Sequence, residues 1–171
     1  MPINTLWGNI FKKRPVIDLL RETAIFSKLS SKDLSMIEEF LHPRTYHPDE
    51  VVFNEGDPGV GMYIVASGRV RITKKAADGS RIELATIDNG GFFGEISVIE
   101  GGPRTASAIA IEKTDLLGFF KSDLDELIDR RPVMAAKILY QIAKVLGERL
   151  RATNEELSRL SEYTKDVRAS R

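Results

Sequence analysis

The sequence predicts an α+β domain: a small antiparallel β-sandwich or barrel flanked by N-terminal helices and a long C-terminal helix. Turn signals recur every 11 to 12 residues from residue 56 to residue 91, with β-branched runs between them, as in small antiparallel sandwiches and barrels. Apolar residues at helical spacing precede this zone, and an apolar heptad repeat follows it.

The first zone, residues 1 to about 43, is predicted to be helical. Ser30 lies three residues before Asp33, a spacing typical of a capping box at the start of a helix. One face of this helix then carries apolar side chains, namely Leu34, Ile37, Phe40 and Leu41. This amphipathic spacing predicts a helix that packs against the domain core.

Residues 1–22 are predicted to be a separate amphipathic segment, with the β-strand domain and its flanking helices at 23–130 and a C-terminal tail at 166–171. The apolar stripe of the first segment precedes a KKR sequence and consists of Leu6, Trp7, Ile10 and Phe11. Such a stripe suits a membrane-touching helix, a partner-docking helix or a helix packed on the domain's own surface. We favour the last of these three.

The middle zone, residues 44 to about 120, is predicted to contain short strands separated by turns. The turn signals are Gly56-Asp57-Pro58-Gly59, Ser67-Gly68, Asp78-Gly79 and Gly90-Gly91. The stretch Gly59-Val60-Gly61 resembles a phosphate-binding loop, but it lacks the third glycine and the following helix of a dinucleotide fingerprint. We interpret it as a turn.

The last zone, residues 121 to about 165, is predicted to contain two helices. Ser122 is the expected cap of the first helix, with Asp125 three residues on, and Pro132 suits the first turn of the second. The second helix, assigned to residues 131–165, carries a heptad seam of Leu139, Ala143, Leu146, Leu150, Thr153, Leu157 and Leu160. The seam predicts a homodimer paired through this helix; a single helix lying over the barrel is the alternative.

Composition excludes several classes of function. The 171 residues include no cysteine, which excludes disulfides, zinc–thiolate sites and cysteine nucleophiles. The two histidines, His42 and His47, are too few for a metalloenzyme of the cupin type. Lys+Arg and Asp+Glu are 25 each, so bulk charge attracts neither nucleic acid nor an acidic membrane. Because no signal-peptide core and no membrane-length apolar run occurs, a soluble cytoplasmic protein is expected.

The stretch GGFFGEISVIEGGPRTASAIA places Glu95 and Arg104 among glycines and apolar residues. A short helix starting at Glu95 would present unpaired N–H groups, and the guanidinium of Arg104, expected at the start of the next strand, suits the paired oxygens of a phosphate. An ionised Glu95 accepts hydrogen bonds from hydroxyl groups. A nucleotide would satisfy both residues; an internal ion pair between them is the alternative.

The segment FGEISVIEGGPRTASAIA also resembles the phosphate-binding cassette of cyclic nucleotide-binding domains, and the likeness covers about residues 23–160. The resemblance implies that the strands form an antiparallel β-roll, similar in form to a double-stranded β-helix or jelly roll. The resemblance implies that Glu95 accepts from the ribose 2′-hydroxyl and that Arg104 neutralises the cyclic phosphate. It further implies an anion site completed by the backbone amides around Gly94, Glu95, Ile96, Thr105 and Ala106. The side chains of Phe93 and Ile96 are expected to be core, and Ser97 to be structural.

The same resemblance addresses the base. A Thr directly after the arginine, here Thr105, is often associated with cyclic GMP in this family, whereas some members with RTAS-like sequences prefer cyclic AMP. We lean slightly to cyclic AMP. Counting on from Arg104 places the family's base-covering region near residues 146–151, where Arg149 and Leu150 stand.

These observations predict a cyclic nucleotide sensor that signals to an unidentified protein effector through its C-terminal helix. Neither a catalytic residue nor a metal or cofactor site is expected, since no second acid, nucleophile or ligand cluster accompanies Glu95. Only six residues follow Lys165, so a DNA-binding domain and direct DNA contact are not expected. The alternative function is a ligand-free dimeric scaffold of the same fold.

Overall fold

The computed structural model describes residues 15–169 and confirms the α+β fold with a β-roll and a long C-terminal helix. The helices are α1 (Val16–Glu22), α2 (Ser31–Ile37), α3 (Glu95–Glu100), α4 (Lys121–Arg130) and α5 (Pro132–Ala169). Short 3-10 helices lie at Ala24–Phe26 and Glu38–Phe40. The strands are β1 (His42–Tyr46), β2 (Val51–Phe53), β3 (Gly61–Ser67), β4 (Val70–Lys75), β5 (Arg81–Ile87), β6 (Phe92–Phe93), β7 (Ser107–Ala110) and β8 (Thr114–Phe120).

Within the described chain these strands form two four-stranded antiparallel sheets. The first has the order β1-β8-β3-β6 and the second the order β2-β7-β4-β5. Between the sheets lies a small core of Val65, Val70, Phe93, Ala108 and Leu116. A larger core joins the first sheet to the helices and includes Leu20, Phe26, Leu34, Ile64, Leu117, Phe119, Leu127 and Ile138. The helices therefore cover the first sheet, and the space between the two sheets is filled by side chains of the strands themselves.

Helix α2 begins with the predicted capping box. Ser30 Oγ accepts from the Asp33 N–H at 3.1 Å, and the Asp33 carboxylate accepts from the Ser30 N–H at 3.2 Å. Leu34 and Ile37 are buried in the larger core, and Phe40 packs against it from the 3-10 helix that follows. The predicted stripe of Leu6, Trp7, Ile10 and Phe11 lies outside the described residues.

The predicted turns are present: the glycines at 56, 68, 79 and 90 all have positive φ. The stretch from Gly59 to Gly61 leads into β3 and is not followed by a helix, so it does not have the structure of a dinucleotide-binding loop. It is a connection and not the predicted turn, which lies earlier, at Glu55 and Gly56. Gly59 has a packing role, because a Cβ at this position would lie 2.2 Å from Ser97 Oγ on α3. This close approach holds α3 against the start of β3.

The predicted cap of α4 is wrong. The helix begins at Lys121, one residue before Ser122, and its third residue, Asp123, accepts a hydrogen bond from the Phe120 N–H at 2.7 Å. Asp125 instead pairs with Lys121 at 2.9 Å on the helix surface. Strand β8 runs directly into the helix at Phe120, which leaves Ser122 inside the first turn.

Helix α5 begins at Pro132, as predicted, and its 38 residues extend for about 57 Å. Its first part is anchored in the larger core by Met134, Ala135, Ile138 and Ile142. Leu139 and Leu146 of the predicted seam also pack partly against this core, so they are not wholly available to a second helix. From Glu148 to Tyr163 every residue is exposed, including Leu150 at 61% and Leu157 at 60%.

No helix within residues 15–169 combines the length and the apolar content that crossing a bilayer requires.

Candidate ligand-binding site

The segment between β6 and β7 folds as a short helix held between two glycines. Gly94 and Gly101, which precede and follow α3, have φ of 78° and 71°, a region that side chains other than glycine rarely adopt. A Cβ on Gly94 would lie only 2.6 Å from Nη1 of Arg104. Glycine at position 94 therefore permits both the sharp entry into α3 and the approach of the arginine to the backbone.

Arg104 is buried with its guanidinium only partly satisfied. The residue is 4% exposed, and its Nη1 donates to the carbonyl oxygens of Gly61 at 2.5 Å and Gly94 at 3.3 Å. Its Nε is buried without a hydrogen-bond partner. Burial lowers the pKa of the Arg104 guanidinium, partly offset by Tyr63 and Asp57. A buried donor of this kind is costly and calls for an acceptor that the chain itself does not supply.

An aromatic platform holds the guanidinium in place. Its central carbon lies 4.0 Å from the centroid of the Phe53 ring and 6.0 Å from that of Tyr63. Phe53, Tyr63 and Phe93 pack against one another with centroids 5.7 to 6.2 Å apart. The Arg104 backbone is fixed as well, because its N–H donates to the Asp57 carbonyl oxygen and its carbonyl oxygen accepts from the Gly56 N–H, both at 2.8 Å. The arginine is thus positioned before any ligand arrives.

Glu95 is ion-paired, but not with Arg104. The residue is 3% exposed, and its Oε1 accepts from Nη1 of Arg149 on α5 at 2.5 Å. The second terminal nitrogen of Arg149 donates to the Phe92 carbonyl oxygen at 3.0 Å. The alternative interpretation, an internal pair between Glu95 and Arg104, is therefore wrong. The carboxylate links the segment around α3 directly to the long helix.

A cavity of about 640 Å³, here called the cassette cavity, brings the predicted site residues together. All eight of them line it: Gly94, Glu95, Ile96, Arg104, Thr105, Ala106, Arg149 and Leu150. The charged groups Glu95, Arg104 and Arg149 stand among mostly apolar walls. A ligand that fits must therefore combine an anionic group with an apolar, flat or bulky part.

Two local expectations differ from the structure. Arg104 lies three residues before β7 begins at Ser107, in the loop rather than in the strand. The side chain of Ile96 is not core: it is 37% exposed at the cavity, because it lies on the outer side of the short α3. Phe93 is buried as expected. Ser97 is also buried and is confined by its contact with Gly59.

The cavity also contains residues that the sequence reasoning missed. They are Phe53, Ile72, Leu84, Ala85, Ile87, Ala152 and Thr153. Leu146, the first residue of the predicted base-covering region 146–151, lines the cavity too. Thr153 had a usable signal: it follows Arg149 by one helical turn and so shares its face of α5. Those on β2, β4 and β5 had none, since only the closing of the roll brings them to the cavity. Among residues 15–169, no cluster of three or more His, Asp or Glu side chains is arranged to hold a metal ion.

Comparison with known proteins agrees with this geometry. The chain is 34% identical over 142 residues to the cyclic AMP receptor protein of Thermus thermophilus, covering 83% of this chain and 64% of that protein. It is 33% identical over 143 residues to a CRP-like cAMP-activated global transcriptional regulator of Mycobacterium tuberculosis, covering 84% and 62%. The chain thus spans less than two thirds of the length of either relative.

A solved structure is similar over a larger share of its length. The N-terminal domain of a transcriptional regulator from Streptomyces coelicolor matches with a TM-score of 0.71 and 31% identity, over 82% of this chain and 95% of that one. The sequence profile of the cyclic nucleotide-binding domain matches residues 43–131, just over half of the chain. The chain belongs to the cyclic nucleotide-binding domain family.

Proposed function

We propose that the chain binds cyclic AMP in the cassette cavity and passes this event to another protein through α5, without turning the nucleotide over. The observation that carries the proposal is the buried Arg104 guanidinium, whose Nε has no partner although it lines a cavity opposite an anchored carboxylate. An ester phosphate supplies the missing acceptor, and a sugar hydroxyl supplies a donor for Glu95. A nucleotide carries both.

Each predicted residue has a role in this proposal. Arg104 would neutralise the cyclic phosphate, and Glu95 would accept from the ribose 2′-hydroxyl. The N–H groups of Glu95 and Ile96 lie in the first turn of α3 and have no intrahelical acceptor, so they can donate to the phosphate, together with those of Gly94, Thr105 and Ala106. The strict requirement for glycine at position 94 supports this arrangement, because it lets the ligand approach the backbone.

The purine would lie at the apolar end of the cavity. Leu84 and Ile87 from β5 and Leu146 and Leu150 from α5 supply walls suited to a flat aromatic ring. Thr153 offers a hydroxyl at this end, although it donates to the Arg149 carbonyl oxygen at 2.9 Å and so presents its lone pairs to an incoming donor. An acceptor suits the exocyclic amino group of adenine.

Preference for cyclic AMP over cyclic GMP has two supports. Both relatives named above carry cyclic AMP in their descriptions. The lining of the whole cavity is also more apolar than polar, which disfavours the additional polar edge of guanine. Thr105, which also lines the cavity, is the residue that would favour cyclic GMP instead, as a Thr directly after the arginine often does in this family.

Transmission would run through Arg149. This residue pairs with Glu95 and also lies over the Phe92 ring, 5.0 Å from its centroid. A ribose hydroxyl that binds Glu95 would use the same carboxylate that Arg149 contacts, so occupancy of the cavity would alter the interactions that hold α5 in place. Downstream of Arg149 the helix is exposed and carries Leu150, Leu157 and Leu160 on one stripe. We propose that this stripe pairs two copies of the chain and that its position is the signal.

Calorimetric titration with cyclic AMP, cyclic GMP and 5′-AMP tests the binding proposal. We expect cyclic AMP to bind most tightly and 5′-AMP, which lacks the cyclic ester, to bind weakly or not at all. A measurable heat of binding, together with a nucleotide that chromatography shows to be unchanged after incubation, would agree with a sensor. A Kd of about 1 mM corresponds to a binding free energy near −4 kcal/mol. If none of the three nucleotides binds at this concentration, the ligand-free scaffold is the correct function.

Hydrogen exchange on Arg149→Gln tests the route. In the wild type, cyclic AMP should change amide protection along residues 146–153. The variant should still bind the nucleotide, but the change in α5 should be lost because the link to Glu95 is gone. Lys144→Gln is the matched control, since this cation lies on the same helix, pairs with Glu148 and does not line the cassette cavity. An unaltered response in Arg149→Gln would refute the route.

A further inference from the structure

A second cavity lies at the β4–β5 hairpin, and neither the family membership nor the proposed nucleotide site assigns it a role. It has a volume of about 610 Å³ and is here called the hairpin cavity. Its polar lining residues are Asn54, Glu55, Thr73, Lys75, Arg81 and Ser107. It shares no lining residue with the cassette cavity.

The two cavities lie on opposite faces of the second sheet. Ile72 lines the cassette cavity, and its strand neighbour Ala108 is part of the core between the sheets. The next pair in the register, Thr73 opposite Ser107, therefore points the other way, because successive side chains of a strand alternate between faces. A ligand in the hairpin cavity would thus contact none of the residues that line the cassette cavity.

The floor of the hairpin cavity contains an unsatisfied hydroxyl. Thr73 is 6% exposed, and its Oγ1 is buried without a hydrogen-bond partner. Ser107 beside it is also buried, and its Oγ accepts from the Glu55 N–H at 2.9 Å. A hydroxyl that has lost water and gained no partner is unfavourable, and buried polar groups are otherwise almost always paired. Thr73 Oγ1 can donate to an acceptor that enters from the cavity.

The rim of the same cavity carries two opposed cations. Lys75 and Arg81 lie directly across from each other in the β4–β5 ladder, an arrangement in which like charges destabilise a hairpin. In the described part of the chain neither side chain has a carboxylate within ion-pairing distance; the nearby Glu55 carboxylate instead accepts from the Lys75 backbone N–H at 3.0 Å. A dianion bound between the two cations would remove the repulsion and receive the Thr73 hydrogen bond.

We propose that the hairpin cavity binds the phosphate group of a small phosphate ester. Two cations and a buried hydroxyl donor match a phosphate dianion better than a monoanionic carboxylate. The Asn54 amide and the Ser107 hydroxyl are then available to hydroxyl groups on the remainder of the ester. Because the two cavities share no lining residue, this proposal can be tested independently of the proposed cyclic nucleotide site.

The proposal is tested by titrating the full chain with inorganic phosphate to about 50 mM at constant ionic strength, which detects millimolar affinity. The amide chemical shifts are followed. We expect saturable shifts at Glu55, Lys75 and Gly79, and weaker shifts with acetate. If phosphate moves only Gly94 and Thr105, the anion binds in the cassette cavity alone and the proposal is wrong. Equal effects of acetate and phosphate on the hairpin amides would overturn the assignment to phosphate.

Two variants separate binding from folding. Thr73→Val keeps the side-chain shape and removes the unpaired hydroxyl, so the protein should melt no lower while phosphate binds roughly three- to tenfold more weakly. Arg81→Gln should weaken binding roughly tenfold or more. Arg44→Gln, an exposed arginine on β1 in the other sheet, is the matched control and should leave the shifts unchanged. Unaltered phosphate affinity in both Thr73→Val and Arg81→Gln would refute the site.

Discussion

Replacing Arg104 by lysine tests the phosphate contact while keeping the positive charge. The guanidinium uses Nη1 to hold the carbonyl oxygens of Gly61 and Gly94, which leaves the edge containing Nε for the ligand. A lysine ammonium is a point donor and cannot hold these carbonyls and a pair of phosphate oxygens at the same time. The variant therefore loses at least one charge-assisted hydrogen bond to the ligand.

The expected loss follows from that count. One hydrogen bond to a charged group contributes about 1.5–3 kcal/mol, which corresponds to a rise of roughly 10- to 100-fold in the Kd for cyclic AMP. Stability should fall as well, because lysine also gives up the contact with the Phe53 ring at 4.0 Å. The Kd by calorimetry and the free energy of unfolding by denaturant titration are measured on the same preparation.

Arg69→Lys provides the control for Arg104→Lys. Arg69 is half exposed and pairs with Glu112 away from the cassette cavity, so the same exchange there should alter neither the Kd nor, to any large extent, the stability. A purely bracing role for Arg104 predicts a different result: lower stability with the Kd within about twofold of the wild type, an affinity change under ~0.5 kcal/mol. That outcome would refute the assignment of the phosphate to Arg104.

Three further predictions concern the entry to α3, the exposed helix and the half-buried Tyr46. Gly94→Ala and Gly90→Ala should each cost about 1–2 kcal/mol in unfolding experiments because both have positive φ, but only Gly94→Ala, whose Cβ meets Arg104, should also weaken nucleotide binding in calorimetry. Leu150→Glu should convert a dimer to a monomer in light scattering, because it places like charges across a twofold axis. Arg159→Glu, on the opposite face of the helix, should leave the dimer intact. A wild type that is monomeric at micromolar concentration would refute the proposed dimer. Burial, with Tyr63 nearby, raises the pKa of Tyr46 to about 12. The tyrosine therefore ionises first in the unfolded state above pH 10, and the free energy of unfolding should fall between pH 10 and 12. In denaturant titrations at pH 8 and pH 11, Tyr46→Phe should lose less of this free energy than the wild type does; an equal loss would contradict the assignment to Tyr46.

The sequence alone determined the features that depend on local geometry. The capping box at Ser30, the start of α5 at Pro132 and the position of α3 each depend on residues within a few positions, and they are present. The segment from Gly94 to Ala106 was also predicted as one site: Glu95 and Arg104 from their place in one glycine-containing loop, and the backbone amides from the resemblance to the phosphate-binding cassette. Local signals sufficed because the interactions they encode are between near neighbours in the chain.

Tertiary structure alone decided which groups meet across the fold. The partner of Glu95 is Arg149, which is 54 residues away and reaches it only because α5 packs its first part on the core and so brings its next turns beside α3. The same packing partly covers Leu139 and Leu146, which an idealised heptad would expose. The hairpin cavity likewise depends on the register that places Thr73 opposite Ser107 and Lys75 opposite Arg81. Contacts of this kind arise from burying apolar surface over the whole domain, which is a non-directional force that no short sequence pattern records.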